Sequence, residues 1–374
     1  MLKRIHLIQV GVGLIGGTTI SQVVAHRALW RDQFGIDLSY AALIDIDGAI
    51  VAEDASGFSD EQLIAALDAR KNRASMGEIA TAGGHHLMEG VTAIAEVAAM
   101  GAFIVSDTAA GSATLPIASR SIGLGGGMVF SNKSPFAMPV GDAAGDAIWA
   151  AAGAGGAVRY ETTCGAGLPV ISSLRTLLDT GDEVIEIMGA LSGTLGAIFS
   201  DVAAGKPFSS AVKSAKALGY TEPDPRDDLS GLDVARKALI LARTMGRRID
   251  LTDIEIESLV PKSLQAVTVP EYLDRVSEQD EEMAARAAEA TAAGKTLKYV
   301  AQVRPEGQIS VGVRAISTST VLGALQGPEN IISFRTRRYD DYAMNITGPG
   351  AGAAVTAAGV VADILALANG PIGT

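Results

Sequence analysis

One cysteine, Cys164, is all that the 374 residues contain, so an internal disulfide and a cysteine-built metal cluster are both excluded. Histidine is nearly as scarce. His6, His26, His85 and His86 lack the spacing of zinc ligands. No apolar run reaches the roughly eighteen residues that a membrane-spanning helix needs. Basic residues are outnumbered, 30 Lys and Arg against 42 Asp and Glu, giving a net charge of −12. Such a surface disfavours a nucleic-acid partner. The opening Met1-Leu2-Lys3-Arg4 imitates an export signal, but His6 and Gln9 interrupt its apolar core and a glycine motif begins at Gly11. The chain reads as soluble and cytoplasmic, without a nucleic-acid or membrane partner, and its length suits two domains.

What is present begins with a strand pattern at Lys3–Val10, then Gly11-Val12-Gly13-Leu14-Ile15-Gly16-Gly17, then a helical pattern over Thr18–Trp30. Strand, G-x-G-x-x-G and helix, in that order, is what a dinucleotide site requires. Glycines allow a tight turn and close backbone approach, and the helix N-terminus faces the pyrophosphate. A second strand, Leu38–Asp45, ends on an acidic residue suited to ribose hydroxyls. Asp45 lies further from the glycines than the usual ~20 residues, which an insert at Asp32–Leu38 would explain. Further strands at Ala102–Ser106 and Gly127–Ser131 end in Asp107-Thr108 and Asn132-Lys133, and strand C-termini are where open parallel sheets bind ligands. The expected fold is α/β: a Rossmann-type doubly wound domain over 1–150, an α+β catalytic and dimerisation domain over 151–338, and a C-terminal segment, 339–374, packing back on the first domain. The Ala/Gly-rich stretch Asp142–Ala157 marks the first boundary, with a helix over Ala143–Ala154 leading out.

The second half carries strands at Val184–Ala190, Lys298–Val303 and Gln308–Ile316 and amphipathic helices at Val234–Met245 and Asp280–Ala293. Its richest segment is Gly219-Tyr220-Thr221-Glu222-Pro223-Asp224-Pro225-Arg226-Asp227-Asp228 followed by Leu229–Lys237. Two prolines hold Glu222 and Asp224 in an extended turn, because a residue before proline avoids helix. A helix starting at Ser230 or Gly231 puts Asp233 and Lys237 one turn apart on one face. That pair is either an ordinary surface ion pair or part of a polar pocket for a cationic substrate. The loop from Glu161 to Pro169 leads into a helix at Val170–Asp179; its glycines expose backbone groups suited to an ion, or it is a plain strand-to-helix turn. Cys164 has no histidine near it in sequence and does not read as a nucleophile.

Taken together, Gly11–Gly17, Ser131-Asn132-Lys133, Tyr160–Pro169, Leu191-Ser192-Gly193-Thr194, Gly219–Lys237 and Gly348–Ile364 resemble the homoserine dehydrogenase family over nearly the whole chain. The resemblance implies that Lys133 and Lys237 lie beside the reacting oxygen, with Asp233 positioning Lys237. It implies that Glu222 and Asp228 hold the ammonium and hydroxyl end of the substrate, and that Gly193, Thr194 and Tyr220 line the pocket. Cofactor contacts are expected at Gly11, Gly13, Leu14, Ile15, Gly16, Asp45, Thr108, Lys133 and Gly350. Backbone oxygens of Glu161, Cys164, Ala166 and Leu168 match the family's site for Na+ or K+. The family further implies a homodimer and a C-terminal helix that helps cover the nicotinamide. Ser192 departs from the Asn of many bacterial members. The chain as it stands has no room for a regulatory or aspartate-kinase domain, so threonine control through one is not expected.

The implied chemistry is interconversion of L-aspartate 4-semialdehyde and L-homoserine, toward threonine and methionine. NAD is favoured over NADP, because Asp45 would repel a 2′-phosphate and no basic residue follows it closely, although Arg70 and Lys71 could fold over. A lysine, with an ordinary pKa near ~10.4, can stabilise the nascent alkoxide and protonate it. Two alternatives remain: an oxidoreductase of a related 2-amino-4-hydroxy acid, and a non-catalytic dinucleotide sensor. An acyl-transferring semialdehyde reductase would need a cysteine nucleophile with a base, and Cys164 lacks that setting.

Overall fold

A computed structural model describes residues 2–153, 156–370 and 372. The chain forms two units, residues 1–167 with 352–374, and residues 168–351; each is considered by itself.

The first unit is built on seven strands: β1 (Lys3–Val10), β2 (Ile36–Asp45), β3 (Gly48–Val51), β4 (Leu87–Met88), β5 (Phe103–Asp107), β6 (Gly127–Phe130) and β7 (Val158–Arg159), in the order β4-β3-β2-β1-β5-β6-β7. β2, β1, β5, β6 and β7 run parallel, while β3 and β4 close one edge antiparallel. β1 is buried along six consecutive residues from Ile5 to Val10, as expected of a strand covered on both faces. Strand order reverses on either side of β1, so the crevice beyond the C-terminal ends of β1 and β5 is the ligand-binding switch point of such sheets. The helix after β1 spans Leu14–Phe34 and stops at Gly35, whose left-handed φ of 68° ends it. This corrects the expected insert at Asp32–Leu38: the long interval between Gly16 and Asp45 is mostly helix, and β2 resumes at Ile36.

The first boundary also moves. β7 adds a seventh strand to this sheet and the turn Glu161–Thr163 packs with the C-terminal helix Ala353–Asn369, so the unit extends to Gly167 instead of stopping at 150. The helix expected over Ala143–Ala154 covers Ala143–Ala151, capped by Asp142, whose carboxylate accepts from the Gly145 amide at 2.8 Å; Ala154 lies outside the described residues, as do Met1 and Thr374.

The second unit holds β8 (Val184–Ala190), β9 (Ile254–Ile256), β10 (Lys295–Val303), β11 (Ile309–Ser317), β12 (Glu329–Thr336) and β13 (Met344–Pro349), in the order β13-β12-β8-β10-β11-β9. All neighbours are antiparallel except β11 and β9. Because β13 belongs here, the expected C-terminal segment beginning at 339 is divided, and only 352 onward joins the first unit. The helix Leu232–Thr244 packs on β10 and β11 and starts from Gly231, at φ 74°.

A Cβ on Gly231 would overlap the Tyr299 hydroxyl, so this helix start tolerates no side chain. Gly205 is equally left-handed, at φ +86°, with open space around it. We expect Gly205→Ala to cost about 1–2 kcal/mol and Gly231→Ala to cost a further ~1–3 kcal/mol from the clash. Urea unfolding of both variants measures the difference; equal losses would contradict the packing argument.

Candidate active site

In the first unit the glycine turn is locked from several sides. Gly11, at φ +80°, donates its amide to Ile44 O at 2.8 Å, and a Cβ on Gly16 would overlap Gly11 O. Gln9 is fully buried and its amide donates to Gly11 O at 3.3 Å and to Thr108 Oγ1 at 2.8 Å. Thr108 in turn donates to Gly11 O at 2.9 Å. The ends of β1 and β5 are thus tied together beneath the turn, leaving Leu14 and, past β2, Ile46 exposed at 77% and 97%. Exposed apolar side chains flanking a glycine turn suit the flat rings of a dinucleotide. Gly13 caps the helix through backbone alone, so the helix N-terminus faces outward with free donors.

Asp45 does not stand alone. Its carboxylate accepts from the Val12 amide at 3.0 Å and from the Ile46 amide at 2.8 Å, and Arg70 pairs with it at 2.8 Å while approaching Asp47 at 3.5 Å. The helix Asp60–Lys71 brings Arg70 back to Asp45, the folding over that the sequence left open for Arg70 and Lys71. Lys133 caps the short turn Ser134–Ala137. Its neighbour Asn132 fixes that loop, donating to Gly111 O at 2.8 Å and to Asp107 at 3.3 Å, and accepting from the Ser134 amide at 3.1 Å. Asp107 is buried, which pushes its carboxyl up against the hydrogen bonds from Thr114 and Ala109. Arg70 is one of the two basic residues expected to be able to fold over Asp45, and it does so; Gln9, Asp107 and Asn132 are structural residues whose roles sequence reasoning did not assign, although Asp107 and Asn132 stood among the polar strand ends.

In the expected cation loop, Glu161, Cys164 and Ala166 belong to the first unit and Leu168 opens the second. Gly165 and Ala166 are both left-handed, at φ 86° and 54°. The Glu161 amide is held by the buried Asp363 of the C-terminal helix at 2.9 Å. Burial pushes the Asp363 carboxyl up to about 7.

The second unit gathers most of the predicted substrate residues. The helix Gly193–Ala203 is capped by Ser192, whose hydroxyl accepts from the Leu195 amide at 3.2 Å. A Cβ on Gly193 would lie 3.0 Å from Pro328 O. Thr194 Oγ1 contacts Tyr220 O at 2.5 Å and Asp228 at 3.0 Å, and Asp228 accepts from the Glu222 amide at 2.8 Å. Glu222 and Tyr220 are exposed beside them. Asp224 is occupied otherwise: Arg226 clamps it at 2.6 Å and donates to the carbonyls of Leu264, Gln265 and Val267. Asp224 therefore shapes the turn, Glu222 and Asp227 are exposed, and Asp228 is half-buried, held by Thr194 and the Glu222 amide.

Lys237 is where the two readings of its ion pair part. A surface pair would leave the ammonium in water. Here Lys237 is 8% exposed; Nζ meets Asp233 at 2.7 Å and donates to the Leu191 carbonyl, just beyond β8, at 2.6 Å. Helix and strand end are joined through one buried ammonium, beside the Ser192-Gly193-Thr194 segment.

A doubly wound sheet with a glycine turn at its switch point is the architecture of dinucleotide-binding domains, and the second unit, taken by itself, holds a buried lysine paired within its helix and an acidic turn. The sequence model of homoserine dehydrogenase matches residues 169–365, more than half of the chain, and the chain belongs to the homoserine dehydrogenase family. It is 49% identical over 214 residues to bifunctional aspartokinase/homoserine dehydrogenase 1 of Zea mays, covering 56% of this chain and 23% of that one. It is 44% identical over 221 residues to homoserine dehydrogenase of Saccharomyces cerevisiae, covering 57% and 61%. The chain thus spans about a quarter of the bifunctional relative and three fifths of the yeast one. Among solved structures, a Candida auris protein of unknown function matches with TM-score 0.80 at 31% identity, covering 98% of each chain. A hyperthermophilic archaeal homoserine dehydrogenase in complex with NADPH matches in fold, with TM-score 0.71 at 24% identity over 97% of each chain. Among the described residues no helix is long and apolar enough to cross a membrane.

Burial pushes the Asp228 carboxyl above its usual range, against the hydrogen bonds from Glu222 and Thr194. The folded protein therefore holds this proton to higher pH than the unfolded chain, and stability falls as pH rises between the two values. We expect Asp228→Asn to flatten that slope; urea midpoints of both proteins from about pH 4 to neutral measure it, and an unchanged slope would refute the burial effect.

Proposed function

We propose that this chain interconverts L-aspartate 4-semialdehyde and L-homoserine with a nicotinamide dinucleotide, within the route from aspartate to threonine and methionine. The observation that carries the reading is Lys237, buried yet held by Asp233 and by a strand-end carbonyl. An ammonium has three donors; these partners use two and leave one for a substrate oxygen. The bound cofactor contributes the hydride given to, or taken from, the aldehyde or alcohol carbon. Glu222 and Asp228 hold the amino-acid end of the substrate, with Gly193, Thr194 and Tyr220 lining the pocket. Lys237 stabilises the alkoxide as it forms and supplies its proton, and Lys133 serves as a second ammonium of the reaction. Oxidation of homoserine runs the same proton transfer in reverse. A non-catalytic dinucleotide sensor would have no use for a buried lysine so placed. Family membership further supports a homodimer.

The test is steady-state turnover of homoserine with NAD+ or NADP+, with cofactor binding measured separately. Lys237→Ala should lose roughly 10²–10⁴ in rate while still binding cofactor. Near-normal turnover in Lys237→Ala, with Lys133→Ala inactive, would transfer the acid role to Lys133.

For the cofactor, Gly11, Gly13, Leu14, Ile15, Gly16 and Thr108 form the cradle of this reading, Lys133 and Gly350 add contacts, and NAD is favoured through Asp45. Arg70 offsets the Asp45 charge, so the preference should be small. Removing that cation with Arg70→Ala should strengthen discrimination against NADPH. Catalytic efficiency clearly higher with NADPH than with NADH in the unaltered enzyme would refute the NAD reading.

We also assign a monovalent cation, Na+ or K+, to the backbone oxygens of Glu161, Cys164, Ala166 and Leu168. The left-handed Gly165 and Ala166 turn the chain sharply, and backbone carbonyl oxygens suit an alkali ion. Replacing alkali cations by a bulky organic cation should lower both activity and thermal stability; no change in either would remove the cation from the account.

A further inference from the structure

The second unit contains a cavity of about 1230 Å³ between the end of the Gly193–Ala203 helix, the Asp280–Ala292 helix, the start of β10 and the segment Gly323–Gly327. It exists because β10 pairs with β11 from Lys295 through Gln302 but with β8 only over Ala301–Val303. The first part of β10 therefore has no strand on its β8 side. Phe208, Met283, Ala284, Ala287, Ala288 and Leu297 give the cavity much of its apolar wall.

One wall residue does not fit an apolar lining. Lys298 is 5% exposed and its Nζ donates to the Leu325 carbonyl, a neutral partner for a cation. The aspartates that share the cavity are engaged elsewhere. Asp201 pairs with Lys206 at 2.9 Å, and Asp280 accepts from the amide and hydroxyl of Ser209, each at 2.7 Å. Glu281 is exposed at the mouth. Burial lowers the Lys298 pKa from its ordinary value, the mark of a charge without a compensating anion. Buried charges are normally paired, and Lys298 retains two donors for a pairing partner.

We infer that this cavity is a binding site for a small aliphatic carboxylate, its head group paired with Lys298 and its chain lying against the alanine face of the Asp280–Ala292 helix. The site lies apart from the residues assigned to catalysis, so the inference stands or falls independently of the proposed reaction.

Calorimetric titration of the full chain at constant ionic strength tests it, with hexanoate, butyrate and the uncharged hexanamide as probes. Hexanoate should bind at one site per chain and butyrate more weakly, by about fourfold per methylene removed. Hexanamide should not bind measurably. Lys298→Met should weaken hexanoate at least ~10-fold. Ala287→Trp, which puts an indole on the helix face where the aliphatic chain would lie and leaves Lys298 in place, should weaken binding while thermal unfolding reports an intact fold. No heat with hexanoate at millimolar concentration, equal binding of hexanamide, or undiminished binding in either variant would overturn the site. Should Lys298→Met fail to fold, the Ala287→Trp and hexanamide results decide.

Discussion

A lysine ammonium in a protein interior must find partners or lose its charge. Lys237 finds a carboxylate from its own helix and a carbonyl from the end of β8, and much of the second unit is arranged to permit that junction. The helix can begin where it does because Gly231 takes a left-handed conformation under Tyr299. The strand can present Leu191 O because the Ser192-capped helix turns away immediately after it. Thr194, three residues after that carbonyl, then reaches the Asp228 carboxylate, so the acidic turn is held close in sequence to the strand end that holds the ammonium. Removing only one partner of such a charge is costly, since the other is left buried and incompletely paired.

The first unit meets a different constraint. On the proposed reading its sheet brings backbone close to an anionic dinucleotide, and the turn after β1 is correspondingly built on glycines. What replaces side-chain packing is polar: Gln9 beneath, Thr108 beside, and Asp45 with Arg70 at the rim. These contacts hold the turn in one conformation by hydrogen bonds and an ion pair within the unit itself.

Strands and helices with strong periodicity were legible in the sequence. Lys3–Val10, Val184–Ala190 and the Asp233–Lys237 helix needed only local pattern. Glycine signals located the turn after β1, and the prolines located the extended acidic turn ahead of the Leu232–Thr244 helix. What local pattern could not supply was distance between chain neighbours and spatial neighbours. Arg70 reaches Asp45 across a helix and a loop, Asn132 is anchored to Asp107 and Gly111 from another strand, and Leu191 O meets a lysine 46 residues later. The domain boundary slipped for the same reason, since the two-residue β7 is too short to carry a periodicity of its own yet completes the first sheet.

The central claim is that an ammonium fixed at the Leu191 carbonyl and Asp233 performs the proton chemistry. Chemical rescue addresses it most directly: homoserine oxidation by Lys237→Ala is measured with methylamine, ethylamine and tetramethylammonium added. The account predicts that the two primary amines restore part of the lost turnover and saturate, because the vacated space keeps both acceptors, while tetramethylammonium, with no N–H, restores none. Turnover in Lys237→Ala equal to that of the unaltered enzyme without any amine would contradict it.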